Sequence, residues 1–188
     1  MDRKEILRYL RTNSKTDDER ILSLVDEAAK VVEDVSEPKT LYRIFPCETG
    51  ESDVLIGGVT FKSKRLCENL KGCRSVVVFG ATLGLNIDRL LATAEATDVS
   101  KAMAYQAAAA AYIEEVCDRL EDDIKVKYDV KLRQRYSPGY FDLDITEQRK
   151  LFSLIDITKR IGITLSDSCQ MMPSKSVTAF IGIEDKND

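Results

Sequence analysis

The stretch Arg135-Tyr136-Ser137-Pro138-Gly139-Tyr140 holds the densest set of residues able to do chemistry. One short rigid loop there carries a permanent cation, an aromatic hydroxyl and main chain that a ligand can approach. An arginine pairs with a carboxylate through two parallel hydrogen bonds, a glycine leaves the backbone uncovered, and a tyrosine offers both a flat face and a donor. Such a loop suits something small and anionic; it equally suits a structural corner in which Arg135 makes an internal salt bridge. Upstream, Glu114 and Glu115 stand side by side just past an alanine-rich run, with Asp118 and Glu121 toward the solvated end of the same stretch. Adjacent glutamates on a helix are ordinarily solvated charge. A third feature, Gly80-Ala81-Thr82-Leu83-Gly84, follows an apolar run and could offer backbone donors to an anion. It is neither a GxGxxG nor a P-loop with its lysine, and it reads as a tight turn.

Other chemistries are excluded by composition. The chain has no histidine, so no imidazole can serve as general base, proton shuttle or metal ligand, and serine–histidine or cysteine–histidine catalysis is ruled out within it. The five cysteines, Cys47, Cys67, Cys73, Cys117 and Cys169, form no CxxC pair. They read as buried thiols; a thiol-based or metal-binding protein would need several of them to converge. A net charge of -4, with Lys+Arg 28 against Asp+Glu 32, gives no broad field for a phosphate backbone, so nucleic acid is not an expected partner. The charged start Met-Asp-Arg-Lys-Glu does not read as a secretory signal, and no apolar run reaches the roughly 18 residues of a spanning helix. A cytoplasmic protein without a membrane segment is expected.

The elements that must position these residues follow from periodicity. Residues 2–11 and 17–34 repeat apolar positions three or four apart and predict two helices, the second ending before Ser36-Glu37-Pro38. From Thr40 the period changes to two: Thr40–Phe45 predicts a strand, and Asp53–Ile56 with Val59–Phe61 a hairpin turning on Gly57-Gly58. Ser63 caps a short helix through Leu70, and Ser75–Phe79, with three consecutive valines, predicts a central strand covered on both faces. A helix carrying Ile87, Leu90 and Leu91 follows. Residues 98–123 predict the longest helix, with Ala107–Ala111 lying flat on a neighbouring surface. Tyr128–Gln134 alternates as a strand; Thr146–Arg160, capped by Thr146 and stopped by Gly162, reads as one helix; Ser176–Ile183 closes the domain before a polar tail. The whole predicts an α+β domain, 39–188, whose mostly antiparallel sheet carries the long alanine-rich helix on one face, preceded by an N-terminal helical arm, 1–38.

With the elements in place, the stretch Arg135 to Ile183 resembles the activation domain of vitamin B12-dependent methionine synthase. The likeness rests on three parts: an RxxxGY loop, a QxxLFxLL-like helix leading to IGITL, and the MMPSKSV segment before the last strand. The alanine-rich helix is similar to the family helix that precedes the loop. The resemblance implies a free-standing module that binds S-adenosylmethionine and takes part in reductive reactivation of a corrinoid enzyme whose cobalamin has oxidised to the cob(II) state. Carried over by motif, Arg135 would hold the donor's carboxylate and Glu114 its ammonium group. Main chain around Ser137 and Gly139 would contact the adenosyl part, and Tyr140 would line the site near the sulfonium. The cobalamin would arrive on a partner, a corrinoid-binding methionine synthase or methyltransferase, with a flavodoxin-like or ferredoxin-like protein as reductant. Two departures are visible: Phe141 stands where a proline usually follows the GY pair, and no counterpart of the family's N-terminal aspartate ligand is found. They leave open a second class of function, a non-catalytic scaffold or regulatory subunit of a corrinoid methyltransferase complex.

Overall fold

A computed structural model describes residues 1–184. Six of its strands form one antiparallel sheet in the order β3-β2-β1-β4-β8-β5. The strands are β1 (Lys39–Thr49), β2 (Asp53–Ile56), β3 (Val59–Lys62), β4 (Ser75–Thr82), β5 (Lys131–Leu132) and β8 (Ser176–Glu184). A separate small hairpin pairs β6 (Thr164–Leu165) with β7 (Met171–Met172). The valine-rich β4 is central as its composition predicts, flanked by β1 and β8 with Phe79 opposite Tyr42 on one side and Ala179 on the other. The predicted Gly57-Gly58 hairpin is present, both glycines at positive φ.

The two faces of the sheet bury two cores. Val77, Phe79 and Ala81 of β4 with Ala179 and Ile181 of β8 face α1 (Arg3–Tyr9), α2 (Glu19–Val35), α4 (Leu85–Thr97) and α5 (Val99–Tyr128). Val76, Val78 and Phe180, one residue out of step and therefore on the opposite face, pack with the β2–β3 hairpin, α3 (Lys64–Leu70), α6 (Gln148–Leu154) and α7 (Ile157–Ile161). Helix α5, 30 residues and about 45 Å long, is the backbone of the first layer. Its stripe of buried alanines from Ala102 to Ala111 brings α1, α2 and α4 close to it, because methyl groups keep neighbouring backbones near. The N-terminal helices therefore lie in the same core as the sheet rather than apart from it.

Several boundaries differ from the sequence reading: β1 runs on to Thr49, and β4 continues to Thr82 through residues 80–82, which the sequence reads as part of a tight turn but which pair with both β1 and β8. Tyr128 belongs to the last turn of α5, not to a strand: Asp129, at φ 52, closes the helix by donating its N–H to Lys125 O, and the regular strand that pairs with β8 is Lys131–Leu132. The helix expected over Thr146–Arg160 is three pieces, a 3-10 turn at Ile145–Glu147, then α6, then α7. Ile155, extended at φ −134 and ψ 143, breaks it, which lets Ile155 and Ile157 both turn inward where one continuous helix would have driven them to different faces. The cap is Asp144, not Thr146, its carboxylate accepting from Thr146 N at 2.8 Å and Thr146 Oγ1 at 2.6 Å. The predicted stop at Gly162 holds, at φ 79. The end of the predicted polar tail, 185–188, lies outside the described residues.

Candidate functional site

The loop after β5 runs along the open edge of β8. Arg133 N donates to Gly182 O, and Tyr136 and Phe180 exchange backbone hydrogen bonds at 2.9 Å, so the segment is an irregular continuation of the sheet. Alternation along it sends Tyr136 to the second core and Arg135 toward α5. There the guanidinium meets three carboxylates. Arg135 Nη2 donates to Glu114 Oε2 at 2.5 Å, while Nη1 donates to Asp118 Oδ1 at 2.7 Å and to Glu121 Oε1. Positions 114, 118 and 121 follow one another at four and three residues along α5, so they share one helix face. Burial disfavours the arginine's charge, but its hydrogen bonds to Asp118, Glu121 and Glu114 outweigh that, and the net effect raises the guanidinium above its ordinary value. The guanidinium is fixed as a cation within a wall that is net negative.

Glu115, one residue on, turns about 100° around the helix axis. It pairs with Arg119 and lies 3.4 Å from the Met1 amino group, away from Arg135. The structure thus separates two glutamates that the sequence leaves equivalent, and it places Glu114 against Arg135. Asp118 and Glu121, expected to be solvated charge, belong to the same cluster; Glu121 is only 14% exposed. Their spacing from Glu114 was the available signal, legible only once a cation was known to face that side of the helix.

Glu114, Glu121 and Arg135 form one wall of a cleft of about 1140 Å³. Ser137 and Tyr140 line it together with Glu114 and Arg135, as do Pro138, Phe141 and, from the second layer, Gln148, Met171 and Thr178. Gly139 is not among the lining residues. At φ +93 it makes the turn, its N–H donating to Leu143 O at 2.8 Å, and an added Cβ would meet Ile145 Cδ1 at 3.1 Å. Tyr140 is 64% exposed at the cleft mouth. On the floor, the buried Gln148 donates to Thr178 Oγ1 and to Met171 Sδ, a polar seam crossing from α6 to β8. Asn69 also lines the cleft, donating through Nδ2 to Gln134 O beside Arg135, while its buried Oδ1 has no partner among the described residues.

The remaining candidates have structural explanations. Gly80 lies in β4 beneath Ile157 and Ile161 of α7, and Gly84, at φ +85, opens α4 against Glu37, so the glycines of Gly80–Gly84 serve close packing. All five cysteines are buried, and burial pushes the Cys117 thiol up to about 12. Among the described residues no group of three or more His, Cys, Asp or Glu is arranged to hold a metal ion, and no helix is long and apolar enough to cross a membrane.

Comparison with known proteins agrees with this architecture. The family model described as "Vitamin B12 dependent methionine synthase, activation domain" matches residues 70–187. Among solved structures, the crystal structure of the MetH reactivation domain bound to AdoHcy superimposes with a TM-score of 0.68 at 18% identity, covering 96% of this chain and 70% of that one. No curated protein sequence matches the chain.

Proposed function

Because the chain belongs to the vitamin B12-dependent methionine synthase activation-domain family, we propose that its cleft binds S-adenosylmethionine and presents the methyl donor for reductive reactivation of a corrinoid enzyme. The single observation that carries this reading is the meeting of Arg135 and Glu114 at one wall of a cleft large enough for such a ligand. Within the protein each charge satisfies the other. A ligand bearing both a carboxylate and an ammonium can exchange with that pair: its carboxylate takes the guanidinium and its ammonium takes the released Glu114, so neither side chain loses a counter-charge. Asp118 and Glu121 would keep Arg135 in place during the exchange. The excess of carboxylates over guanidinium favours a ligand of net positive charge, which a sulfonium amino acid has. Ser137 and Tyr140 line the same space and are the residues proposed to contact the adenosyl and sulfonium parts, while Gly139 shapes the turn that presents them.

The donor supplies a methyl group on positive sulfur, already activated for transfer. The residues of this chain need only bind and orient it, a task of placement that asks for no acid–base group and agrees with a chain lacking histidine. The cobalamin would come on a corrinoid-binding partner, with a flavodoxin-like or ferredoxin-like protein as reductant, in a cytoplasmic setting. The alternative, a scaffold or regulatory subunit without the donor, draws on the three carboxylates that already engage Arg135.

Titration calorimetry with S-adenosylmethionine separates the two. Saturable binding is expected, weakened about tenfold to a hundredfold in Arg135→Ala and in Glu114→Gln, the range for losing one charged hydrogen bond. Circular dichroism should show both variants folded. No heat of binding at millimolar ligand, with or without the corrinoid partner, or equal affinity in folded variants, rejects the assignment.

A further inference from the structure

Phe141 is 84% exposed, the most exposed large apolar side chain in the site, and its backbone sits at φ 50. A bulky residue rarely adopts that left-handed conformation, and a proline, with φ fixed near −65°, cannot adopt it at all. The loop is held there from both sides. Asp142 is anchored to the start of α3, accepting from Ser63 Oγ at 2.6 Å and Lys64 N at 2.7 Å, and Leu143 is fully buried. The conformation turns the Phe141 ring onto the cleft mouth, where it lies nearly parallel to Tyr136, with ring centroids 6.2 Å apart and 23° between planes. An exposed apolar ring on strained backbone is unfavourable for the fold, and strain of this kind concentrates at ligand clamps.

We infer that the Phe141–Tyr136 pair is a stacking platform for the purine of the bound nucleoside. The inference rests on the nucleoside reading given above and adds to it a subsite special to this chain. A flat, electron-rich ring beside a guanidinium and carboxylate wall divides the cleft into two ends. The charged end takes the amino-acid moiety, and the aromatic end takes the base.

The test uses the full chain and two probes, S-adenosylhomocysteine and adenosine, in calorimetry on the parent protein, Phe141→Gly and Phe141→Tyr. Glycine suits φ 50, so Phe141→Gly keeps the fold with an unchanged or higher melting temperature. It is expected to lose about tenfold or more in affinity for both probes, the loss seen when one base-stacking ring is removed, while Phe141→Tyr binds as the parent does. Parent-like affinity of Phe141→Gly for S-adenosylhomocysteine overturns the platform alone and leaves the nucleoside reading standing. A parent protein that binds neither probe overturns both. Loss of association with a corrinoid partner, without loss of either probe, assigns the ring to protein docking and likewise overturns the platform.

Discussion

Asp142 ties the site loop to the rest of the molecule. Its carboxylate accepts from the Ser63 hydroxyl and from the N–H groups that open α3, so one side chain caps a helix and clamps the residue next to Phe141. The Ser63 hydrogen bond, followed by those from Lys64 and Arg65, holds the carboxyl below its ordinary value. A carboxyl whose folded pKa is depressed stabilises the fold fully above the unfolded value, and that contribution disappears as pH falls through the folded one. Asp142→Asn should therefore cost on the order of 1 kcal/mol near neutrality, toward the low end because the group is exposed, and should flatten the loss of stability below about pH 4. Urea denaturation of both proteins across pH 3–7 checks it; parallel curves would refute the clamp. At this scale the sequence was informative about residue types and blind to partners. Arg135 was legible as the likeness to a family loop made it, but its partners Asp118 and Glu121 lie 17 and 14 positions away, and no local pattern shows which way α5 turns.

Among the elements, α5 does two jobs with two faces. One presents Glu114, Asp118 and Glu121 to Arg135; another, built of alanines, lets the surrounding helices and sheet approach closely. Ala108 is fully buried within that stripe. Ala108→Leu should lose about 1–3 kcal/mol through overpacking, although leucine is the more hydrophobic residue. A guanidinium denaturation midpoint equal to or above the parent's would show that the stripe is loosely packed. The elements themselves were largely legible because their apolar spacing is local: the helix stripes, the Gly57-Gly58 hairpin and the valine-rich central strand all carry their period in a few consecutive residues. The break at Ile155 was not legible. Leu151, Leu154, Ile155 and Ile157 make a run that suits a helix as well as a kink, and the choice is made by the second core, which buries all four. The same holds for Tyr128, whose place is decided by the left-handed turn at Asp129.

At the scale of the whole molecule, the N-terminal helices bear on the domain boundary proposed at residue 38. Ile6, Leu7, Val25, Ala28 and Val32 are fully or almost fully buried, and they lie in the core that contains the alanine face of α5. Four of these are large aliphatic side chains, each worth about 1.5–3 kcal/mol of burial, so together they match a large part of the 5–15 kcal/mol that separates folded from unfolded states in ordinary domains. A fragment beginning at Lys39 would expose that surface on the very helix whose opposite side carries Glu114. It should lack a cooperative thermal transition, bind a dye for exposed apolar surface, and fail to bind S-adenosylmethionine even with every cleft residue intact. A fragment that unfolds cooperatively near the parent's melting temperature would show instead that residues 39–188 are self-sufficient and that the first 38 are an accessory arm. Loss of ligand binding on removing residues so far from the cleft would mean that the pocket depends on the setting of α5, and the setting of α5 on the helices packed behind it.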